Sequence, residues 1–403
     1  MNPNLSRLQA YPFERLRQLF AGVVPNPAYS PISLGIGEPR HPTPQLIKDA
    51  YCHAIQSGES GLAAYPATAG DPQLRQSMVN WVQRRYGLAL NPATQVLPVN
   101  GSREALFAFA QTVINPAACQ GTVQVVCPNP FYQIYEGAAL LSGAQPYFVP
   151  SVADRNFAQD WDSVPTEIWE NTQLMYVCSP GNPAGAVMPL SEWEKLFALS
   201  DQYGFVIASD ECYSEIYFRE EAPLGGLEAA ARMGRSDFKN LVSFTSLSKR
   251  SNAPGMRSGF CAGDARWIQK FLLYRTYHGS AMSPVVQAAS IAAWDDEEHV
   301  IDNRAKYRDK FAQVTPLLSS VMDVALPDAG FYLWADVHGS DTDFARDLLA
   351  LYNVTVLPGS YLAREAHGYN PGAGRIRMAL VAETAECVEA AHRIVQFVKD
   401  RAA

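Results

Sequence analysis

The sequence lacks the features that mark several classes of protein. Its seven cysteines are scattered and include no Cys-x-x-Cys pair, so we expect neither a disulfide framework nor a zinc or other metal site, and we predict a reducing cytoplasm. No apolar run reaches the roughly 18 residues of a membrane helix, and the N-terminus has no basic region followed by an apolar core, so no signal peptide is expected. With a net charge of −8 and no run of Lys and Arg, nucleic-acid binding is not expected.

What is present is typical of a globular protein, with 48% hydrophobic and 18% charged residues. A chain of 403 residues is long enough for two packed domains. In its middle, short apolar runs alternate with helical patterns, and four of these runs are predicted strands: 123–127, 174–178, 205–209 and 241–245. Apolar strands separated by helices indicate a mostly parallel sheet covered on both faces, with ligand sites beyond the carboxyl ends of its strands.

Two further patterns concern local structure. The stretch 190–200, between the second and third strands, is a predicted helix with Ser191 as N-cap and Glu194 completing a capping box. The last third of the chain has longer helices and a β-rich run at 331–337, which indicates an α+β domain that begins near residue 293.

Three segments that could carry chemistry follow these predicted strands or open a helix. At 99–107 an extended segment ends at Asn100, Gly101 permits a tight turn, and a helix starts at Ser102 or Arg103, which makes an anion site at the helix start. Taken in isolation, an ordinary capped helix explains this pattern better. At 179–185 a turn dense in Pro and Gly could present the amide of Asn182 to a ligand, or could merely end the strand.

Carboxylates follow the third strand, where Asp210 and Glu211 come directly after an apolar run. A buried carboxylate needs a cation or hydrogen-bond donors, so either a salt bridge or a protonated heterocycle would satisfy Asp210. The segment 246–259 follows the fourth strand and contains Ser246, Lys249 and, eight residues later, Arg257. A lysine near a phosphate-binding cluster can form a Schiff base with pyridoxal phosphate, although a Lys-Arg pair is usually only a solvated surface.

Together with Gly-Ile-Gly-Glu-Pro at 35–39, Tyr-Pro-Ala-Thr-Ala-Gly at 65–70 and Arg377, these segments occur in the order found in a known family. The sequence resembles the fold-type I (class I/II) aminotransferases along nearly its whole length. The resemblance implies an α/β fold with a large domain built on a mostly parallel seven-stranded sheet, and a smaller α+β domain. The large domain would span 46–292, and the small domain would combine 1–45 with 293–403.

The resemblance also implies the cofactor pyridoxal 5'-phosphate and roles for particular residues. Lys249 would hold the cofactor and then shuttle a proton, Asp210 would pair with the pyridine nitrogen, and Asn182 and Tyr213 would bind the phenolic oxygen of the ring. Tyr132 would stack on the ring, with Phe131 as the alternative.

The remaining implied roles concern the phosphate and the substrate. Ser246, Arg257 and the backbone of Ser102 and Arg103 would hold the phosphate. Tyr65 would reach the phosphate of the partner subunit, which implies a homodimer with shared active sites. Arg377 would grip the substrate α-carboxylate in a bidentate pair, and Gly37 would let the backbone approach it.

Substrate choice depends on fewer residues. The segments 11–17 and 37–44 look like those of N-succinyldiaminopimelate aminotransferases, whereas relatives more often have an acidic and an aromatic residue at the positions of Arg40 and His41. The implied reaction is N-succinyl-LL-2,6-diaminopimelate with 2-oxoglutarate, giving N-succinyl-2-amino-6-oxopimelate and glutamate, in lysine biosynthesis. Arg40 and Arg250 could bind the extra carboxylates or be surface charges, and we expect Arg375 to pair with an acidic neighbour.

Other functions remain open. An aminotransferase of aspartate, aromatic or alanine specificity fits the same motifs, and so does a pyridoxal-phosphate-dependent carbon–sulfur lyase. A transcription regulator that kept the fold is the non-enzymatic alternative, but the first 45 residues are too few, and not basic enough, for a DNA-binding domain.

Overall fold

The fold was analysed in a computed structural model, in which residues 2–57, 61–118 and 121–402 are described. The α-helices, in chain order, are α1 Pro12–Leu19, α2 Gln45–Gln56, α3 Pro72–Tyr86, α4 Ser102–Val113, α5 Ile134–Leu141, α6 Thr166–Glu170, α7 Leu190–Tyr203, α8 Gly226–Arg232, α9 Leu247–Arg250, α10 Ala265–His278, α11 Pro284–Asp295, α12 Glu298–Ser319, α13 Asp341–Tyr352 and α14 Thr384–Ala402. The strands are β1 Ile32–Ser33, β2 Val96–Val99, β3 Gln124–Asn129, β4 Gln145–Val152, β5 Ala158–Gln159, β6 Thr172–Cys178, β7 Val206–Asp210, β8 Leu241–Ser246, β9 Gly259–Gly263, β10 Tyr332–Asp336, β11 Val354–Thr355, β12 Leu357–Pro358 and β13 Arg375–Ala379.

The largest sheet has the strand order β2-β9-β8-β7-β6-β3-β4-β5. Strands β4, β3, β6, β7 and β8 pair in parallel, and β9 runs antiparallel to both β8 and β2. The mostly parallel sheet is therefore confirmed. Seven strands were expected, and the two-residue β5 adds an eighth because it pairs antiparallel with the end of the edge strand β4.

All four strands predicted from apolar runs are present, as β3, β6, β7 and β8. Their residues alternate between two hydrophobic clusters, one on each face of the sheet. In β6, for example, Met175 belongs to one cluster while Leu174 and Tyr176 belong to the other. Strands buried on both faces need apolar residues at nearly every position, which explains why their sequences are continuous apolar runs.

The predicted helix at 190–200 is confirmed as α7, but its predicted cap is wrong. The helix begins at Leu190 with Pro189 at the N-cap, so Ser191 lies inside the first turn. No side chain in the described part of the chain caps the helix. Proline has no N–H to leave unsatisfied and its fixed φ suits a helix entry, so the chain turns into the helix before it reaches Ser191.

A second body contains the C-terminal third and the N-terminal strand. Strands β10, β13 and β12 form an antiparallel sheet, with Tyr332–Asp336 confirming the strand expected at 331–337. Strand β1 pairs in parallel with β11, which brings residues near 32 into the same hydrophobic cluster as α12 and α14. The proposed boundary at 292/293 falls inside α11 and the one at 45/46 falls at the start of α2, and both stay predictions.

Two searches of the described residues concern the classes weighed above. Within 2–57, 61–118 and 121–402, no helix has the length and apolar character to cross a membrane. The same residues contain no cluster of His, Cys, Asp and Glu suited to a metal ion. Six cysteines are free thiols, and Cys119 lies outside the described residues.

Candidate active site

A cavity of about 470 Å³ opens where β6, β7 and β8 end, at Cys178, Asp210 and Ser246. Its volume falls within the roughly 300–1,000 Å³ of small-molecule sites, and its place is the one expected in parallel sheets. Eleven predicted site residues line the cavity: Gly37, Ser102, Arg103, Tyr132, Asn182, Asp210, Tyr213, Ser246, Lys249, Arg257 and Arg377. The twelfth, Tyr65, is fully exposed and does not.

Lys249 is carried by the short helix α9, which starts directly after β8. Ser246 is its N-cap, and the Ser246 hydroxyl accepts a hydrogen bond from the backbone N–H of Ser248 at 3.2 Å. The Lys249 amine donates to the carbonyl of Gly37 at 2.8 Å. Burial lowers the pKa of Lys249 to about 8, against the opposing effect of Cys212 and Glu38. A nucleophilic neutral amine is therefore accessible near neutral pH.

Asp210 is the last residue of β7, and only 4% of its surface is exposed. The Tyr135 hydroxyl donates to one carboxylate oxygen at 2.8 Å, and the backbone N–H of Cys212 donates to the other at 3.3 Å. Burial raises the pKa of Asp210, although these hydrogen bonds oppose the shift. Among the described residues Asp210 has no ion-pair partner, so a cationic ligand atom would relieve the cost of burying its charge.

An anion site lies at the start of α4. Gly101 has φ +86, and a Cβ atom there would overlap the guanidinium group of Arg257. The first N–H groups of α4, from Ser102 onward, have no intrahelical acceptor and carry the positive end of the helix dipole. Arg257 donates to the carbonyl of Pro254 at 2.8 Å and lines the cavity. These donors suit a phosphate group.

The aromatic position is Tyr132, not Phe131. Tyr132 lines the cavity, where its hydroxyl accepts a hydrogen bond from the Arg103 guanidinium. Phe131 is buried in the core, where its ring lies 4.8 Å from that of Phe148. The residue available to cover a ligand ring is therefore Tyr132.

Arg377, in β13, lies at the end of the cavity formed by the N-terminal segment. It donates to the amide oxygen of Asn182 and to the carbonyl of Gly35, both at 3.0 Å. Its guanidinium carbon is 4.3 Å from the ring centre of Tyr332. Gly37 approaches the same tyrosine so closely that a Cβ atom would overlap the Tyr332 hydroxyl. The aromatic face and the amide hold the guanidinium in place for a carboxylate.

Comparison with known proteins decides the family. The sequence profile described as aminotransferase class I and II matches residues 29–394. The chain belongs to this family. Its members use pyridoxal phosphate to transfer amino groups.

Relatives of this aminotransferase include an LL-diaminopimelate aminotransferase of Nitratidesulfovibrio vulgaris, which is 32% identical over 91% of each chain. The crystal structure of an aminotransferase from Neisseria meningitidis matches 98% of this chain and 100% of its own, with a TM-score of 0.94 and 53% identity. A probable N-succinyldiaminopimelate aminotransferase from Thermus thermophilus matches 96% of this chain and 99% of its own, with a TM-score of 0.82. At 23% identity, that likeness shows the fold alone.

The residues of this aminotransferase fit pyridoxal phosphate at three points. The buried carboxylate of Asp210 forms no salt bridge with the described residues, Lys249 acts on it only from a distance, and it suits a protonated pyridine nitrogen. The glycine at 101 leaves room for the Arg257 guanidinium beside the free N–H groups of α4, which suits a phosphate. The Lys249 amine, with its lowered pKa, suits a covalent bond to an aldehyde.

Two arginines considered for the aminotransferase substrate lie elsewhere. Arg250 is buried, and it donates to the carbonyls of Ala293 and Asp296 and pairs with Glu297 at 2.8 Å, so both interpretations of it were wrong. The sequence Lys249-Arg250 after a strand does not indicate that the side chain of Arg250 is buried in the core. Arg40 pairs with Glu386 at 3.2 Å on the surface, as a surface charge would.

The third arginine behaves as expected. Arg375 lies 3.4 Å from the carboxylate of Asp336, which is its partner across the β10–β13 ladder. The prediction of an acidic neighbour for Arg375 is therefore confirmed.

Two tyrosines escaped the sequence analysis: Tyr332, which lines the cavity, and Tyr135, which is buried and does not line it. Tyr135 bonds Asp210, and the Tyr332 hydroxyl lies 3.0 Å from that of Tyr213. Tyr135 lies three residues after Tyr132, at the start of a helix, which is a weak signal, and Tyr332 lies inside a strand with no signal in its spacing. Burial raises the pKa of Tyr213 well above its usual value, so its phenol stays protonated and can donate a hydrogen bond.

Proposed function

We propose that this aminotransferase transfers the amino group between N-succinyl-LL-2,6-diaminopimelate and 2-oxoglutarate, as the N-terminal segments predict. The observation that supports a substrate with several carboxylates is the charge of the cavity. Lys249, Arg103, Arg257 and Arg377 line it, and none of them forms an ion pair with a carboxylate of the described residues. The carboxylates of Asp210 and Glu38 also line the cavity. If Arg257 faces the phosphate, Arg377 faces the α-carboxylate and Lys249 is bonded to the cofactor, Arg103 remains for a further carboxylate.

Arg103 is our candidate for that additional carboxylate. Its side chain is exposed to the cavity, where its hydrogen bonds go to the neutral hydroxyls of Tyr132 and, at 3.4 Å, Tyr11. A planar guanidinium already oriented by two phenols can accept a carboxylate without a large loss of side-chain entropy. In this proposal its backbone N–H still serves the phosphate.

We propose for the other residues the roles that the family resemblance implies. Pyridoxal phosphate, when bound, supplies an electron sink for the bonds at the substrate Cα. We assign to Lys249 the covalent attachment and the transfer of the Cα proton, to Asp210 the pyridine nitrogen, and to Asn182 and Tyr213 the phenolic oxygen. Tyr132 would cover the ring.

The phosphate and the substrate carboxylate would lie at opposite ends of the cavity. Ser246, Arg257 and the start of α4 at Ser102 would hold the phosphate. Arg377 would hold the α-carboxylate beside Gly37.

We also propose a homodimer with shared active sites. Tyr65 is fully exposed in the single chain and lies away from the cavity, which fits a residue whose contact comes from another subunit. The described residues around it include other exposed apolar side chains, such as Leu62. The cytoplasm stays our predicted compartment.

LL-Diaminopimelate is the second candidate substrate, because relatives that are 32% identical carry the name LL-diaminopimelate aminotransferase. Unmodified LL-diaminopimelate has the same two carboxylates but a free amine in place of the succinyl amide. It would place a cation, instead of a further carboxylate, near Arg103. Charge in the cavity therefore favours the succinylated form.

The test is a panel of amino donors with 2-oxoglutarate as acceptor, measured as kcat/KM for the cofactor-loaded enzyme. We expect N-succinyl-LL-2,6-diaminopimelate to exceed LL-diaminopimelate, aspartate and phenylalanine by about tenfold or more, the value of one charge-assisted hydrogen bond. A preference for aspartate or phenylalanine by orders of magnitude would refute the proposal. Pyruvate and ammonia released from cystathionine without a keto acid would instead reveal a carbon–sulfur lyase.

A matched variant locates the recognition. Arg103→Met keeps the length of the side chain and removes its charge. We expect it to lower kcat/KM for the succinylated substrate by about tenfold to a hundredfold and to leave that for alanine, which has no second carboxylate, within about threefold. An equal loss of kcat/KM for both substrates would show that Arg103 does not recognise the additional carboxylate.

A further inference from the structure

His41 lies in a buried chain of hydrogen-bonded polar side chains. Its ring is 7% exposed, with Nδ1 3.0 Å from Asn303 Oδ1 and Nε2 3.1 Å from Lys310 Nζ. Asn303 in turn donates from Nδ2 to the backbone carbonyl of Lys249 at 3.2 Å. The chain thus runs from Lys310 through His41 and Asn303 to the backbone of the proposed catalytic lysine.

The partners of Asn303 fix the direction of each hydrogen bond. Its Nδ2 must donate to the Lys249 carbonyl, so its Oδ1 accepts, both from His41 and from Asn252 Nδ2 at 2.9 Å. His41 therefore carries its proton on Nδ1 and accepts from the Lys310 amine at Nε2. Neutral His41 is the form that satisfies every contact, and burial lowers the pKa of His41, which keeps it neutral.

Burying the amine of Lys310 at this position costs free energy. It has no exposed surface, and among the described residues no carboxylate lies within ion-pair distance of it. Its Nζ lies 3.1 Å from the His41 nitrogen and 4.9 Å from the centre of the Tyr307 ring. The carboxylates of Glu383, Asp309 and Glu386 attract it from beyond ion-pair distance. Methionine would fill the same volume without the cost of burying an amine, so stability alone does not explain lysine here.

These hydrogen bonds join two segments of the polypeptide that face each other across the cavity. One segment carries Gly37, whose carbonyl accepts from the Lys249 amine at 2.8 Å. Further along it, His41 reaches Asn303, and the Thr43 hydroxyl donates to the carbonyl of Asn252 at 2.7 Å. The other segment carries Lys249 and Asn252. The distance between Gly37 and Lys249 therefore depends on these links as well as on the sheet.

We propose that His41 is a positioning residue: through Asn303 it fixes the backbone of Lys249 relative to the Gly37 segment, with Lys310 orienting the imidazole. The inference rests on the proposed role of Lys249 as the lysine that holds the cofactor. His41 is not among the residues that line the cavity, so in this proposal it acts only through the position of Lys249. Asn303, Tyr307 and Lys310 lie at spacings of four and three residues on α12, so one helix face presents them together.

The test uses the cofactor-loaded enzyme and the pH at which the visible absorption band of the bound cofactor changes, which requires no substrate. Three variants are compared with the wild type: His41→Phe removes both ring nitrogens, Asn303→Ala removes the bond to Lys249, and His41→Gln keeps a donor and an acceptor. The control is Tyr307→Phe, since the Tyr307 hydroxyl has no hydrogen-bond partner among the described residues although its ring lies 4.9 Å from that of His41.

We expect His41→Phe and Asn303→Ala to shift the midpoint of the band by about half a pH unit or more, the effect of one lost hydrogen bond. They should also lower kcat about fivefold with KM nearly unchanged, and His41→Gln should recover most of both effects. Tyr307→Phe should match the wild type. A midpoint equal to that of the wild type in either His41→Phe or Asn303→Ala, whatever the unfolding temperature, would overturn the inference.

Two further outcomes are distinct from that one. Should His41→Phe fail to fold, Asn303→Ala and His41→Gln still decide the matter, because a wild-type midpoint in Asn303→Ala refutes the link to Lys249. A wild type without any visible band would refute the role of Lys249 itself, and the inference with it.

Discussion

At the scale of the residue, the chemistry depends on how burial changes ordinary side chains. The buried carboxylate of Asp210 accepts hydrogen bonds from a phenol and a backbone N–H. The buried amine of Lys249 donates a hydrogen bond to a backbone carbonyl. Neither residue has a salt-bridge partner among the described residues, although Lys249 and Asp210 attract each other and Glu38 attracts Lys249 from beyond that distance. Each group is therefore prepared for a ligand with complementary chemistry, an aromatic nitrogen for one and an aldehyde for the other.

The lowered pKa of Lys249 gives a direct prediction for the cofactor-free protein. Its folded pKa of about 8 lies below its ordinary 10.5, so at pH 7 about a tenth of the molecules carry a neutral amine. We expect the rate of acetylation of Lys249, followed by mass spectrometry, to reach its midpoint near pH 8. In the urea-unfolded protein the same lysine should titrate near 10.5. Equal midpoints in the two states would contradict the burial of this amine.

The same shift has a consequence for stability with a defined sign. Between pH 8 and 10.5 the unfolded chain holds a proton on Lys249 that the folded cofactor-free protein has lost. The contribution of this lysine therefore disfavours folding below pH 8, and the disadvantage disappears as the pH rises toward 10.5.

At the scale of the element, the apolar runs predicted strands well because a strand buried on both faces has few alternatives. β6 and β8 appear where the runs are, and the site residues follow at their ends. The start of α7 was predicted less well, because Ser191 and Glu194 match a capping box whether or not the helix has already begun. The turn of Arg250 into the core depends on the carbonyls of Ala293 and Asp296, more than 40 residues away, so no local pattern could reveal it.

The start of α4 supplies a prediction with a matched control. Gly101 and Gly204 have φ of +86 and +82, but a Cβ atom would overlap Arg257 at Gly101 and would contact no described residue within 4 Å at Gly204. Changing either to alanine should cost about 1–2 kcal/mol of unfolding free energy from backbone strain, measured by urea denaturation. Gly101→Ala alone should also raise the cofactor dissociation constant, by roughly tenfold, because it displaces Arg257.

The contrary results are clear for this pair. Cofactor binding weakened equally in Gly101→Ala and Gly204→Ala would mean that strain, and not the anion site, is responsible. A wild-type cofactor dissociation constant in Gly101→Ala would contradict a phosphate site at the start of α4.

At the scale of the whole molecule, the sequence order of motifs predicted more than any motif did by itself. Residues as distant as Gly37, Lys249 and Arg377 meet in one cavity because β1 joins the C-terminal body and β8 ends at the same edge of the sheet as β6. Spacing in the sequence could not reveal the hydrogen bonds that link Lys310, His41, Asn303 and Lys249, because the bonded residues are far apart in the sequence. Such contacts emerge only when the two bodies pack.

The proposed dimer is tested by mixing two defective chains. Tyr65→Phe removes the hydroxyl that would reach the partner's phosphate, and it should weaken cofactor binding about tenfold. In hybrids with Lys249→Ala chains, the site on the Tyr65→Phe chain receives an intact tyrosine from the other subunit. We expect that site to regain the wild-type dissociation constant in a cofactor titration. Tyr277→Phe, at an equally exposed tyrosine, is the control and should bind normally.

No recovery in the hybrids would place Tyr65 in its own subunit's site or outside any site. A protein that sediments as a single chain at assay concentrations would contradict the shared sites altogether.

The central claim is that Lys249 holds the cofactor, and one measurement tests it most directly. The enzyme is loaded with pyridoxal phosphate, reduced with borohydride to make the lysine bond permanent, digested, and mapped by mass spectrometry. The account predicts the added cofactor mass on Lys249, and its complete loss from that peptide in Lys249→Arg. A cofactor mass on another lysine, or none on any, would contradict it.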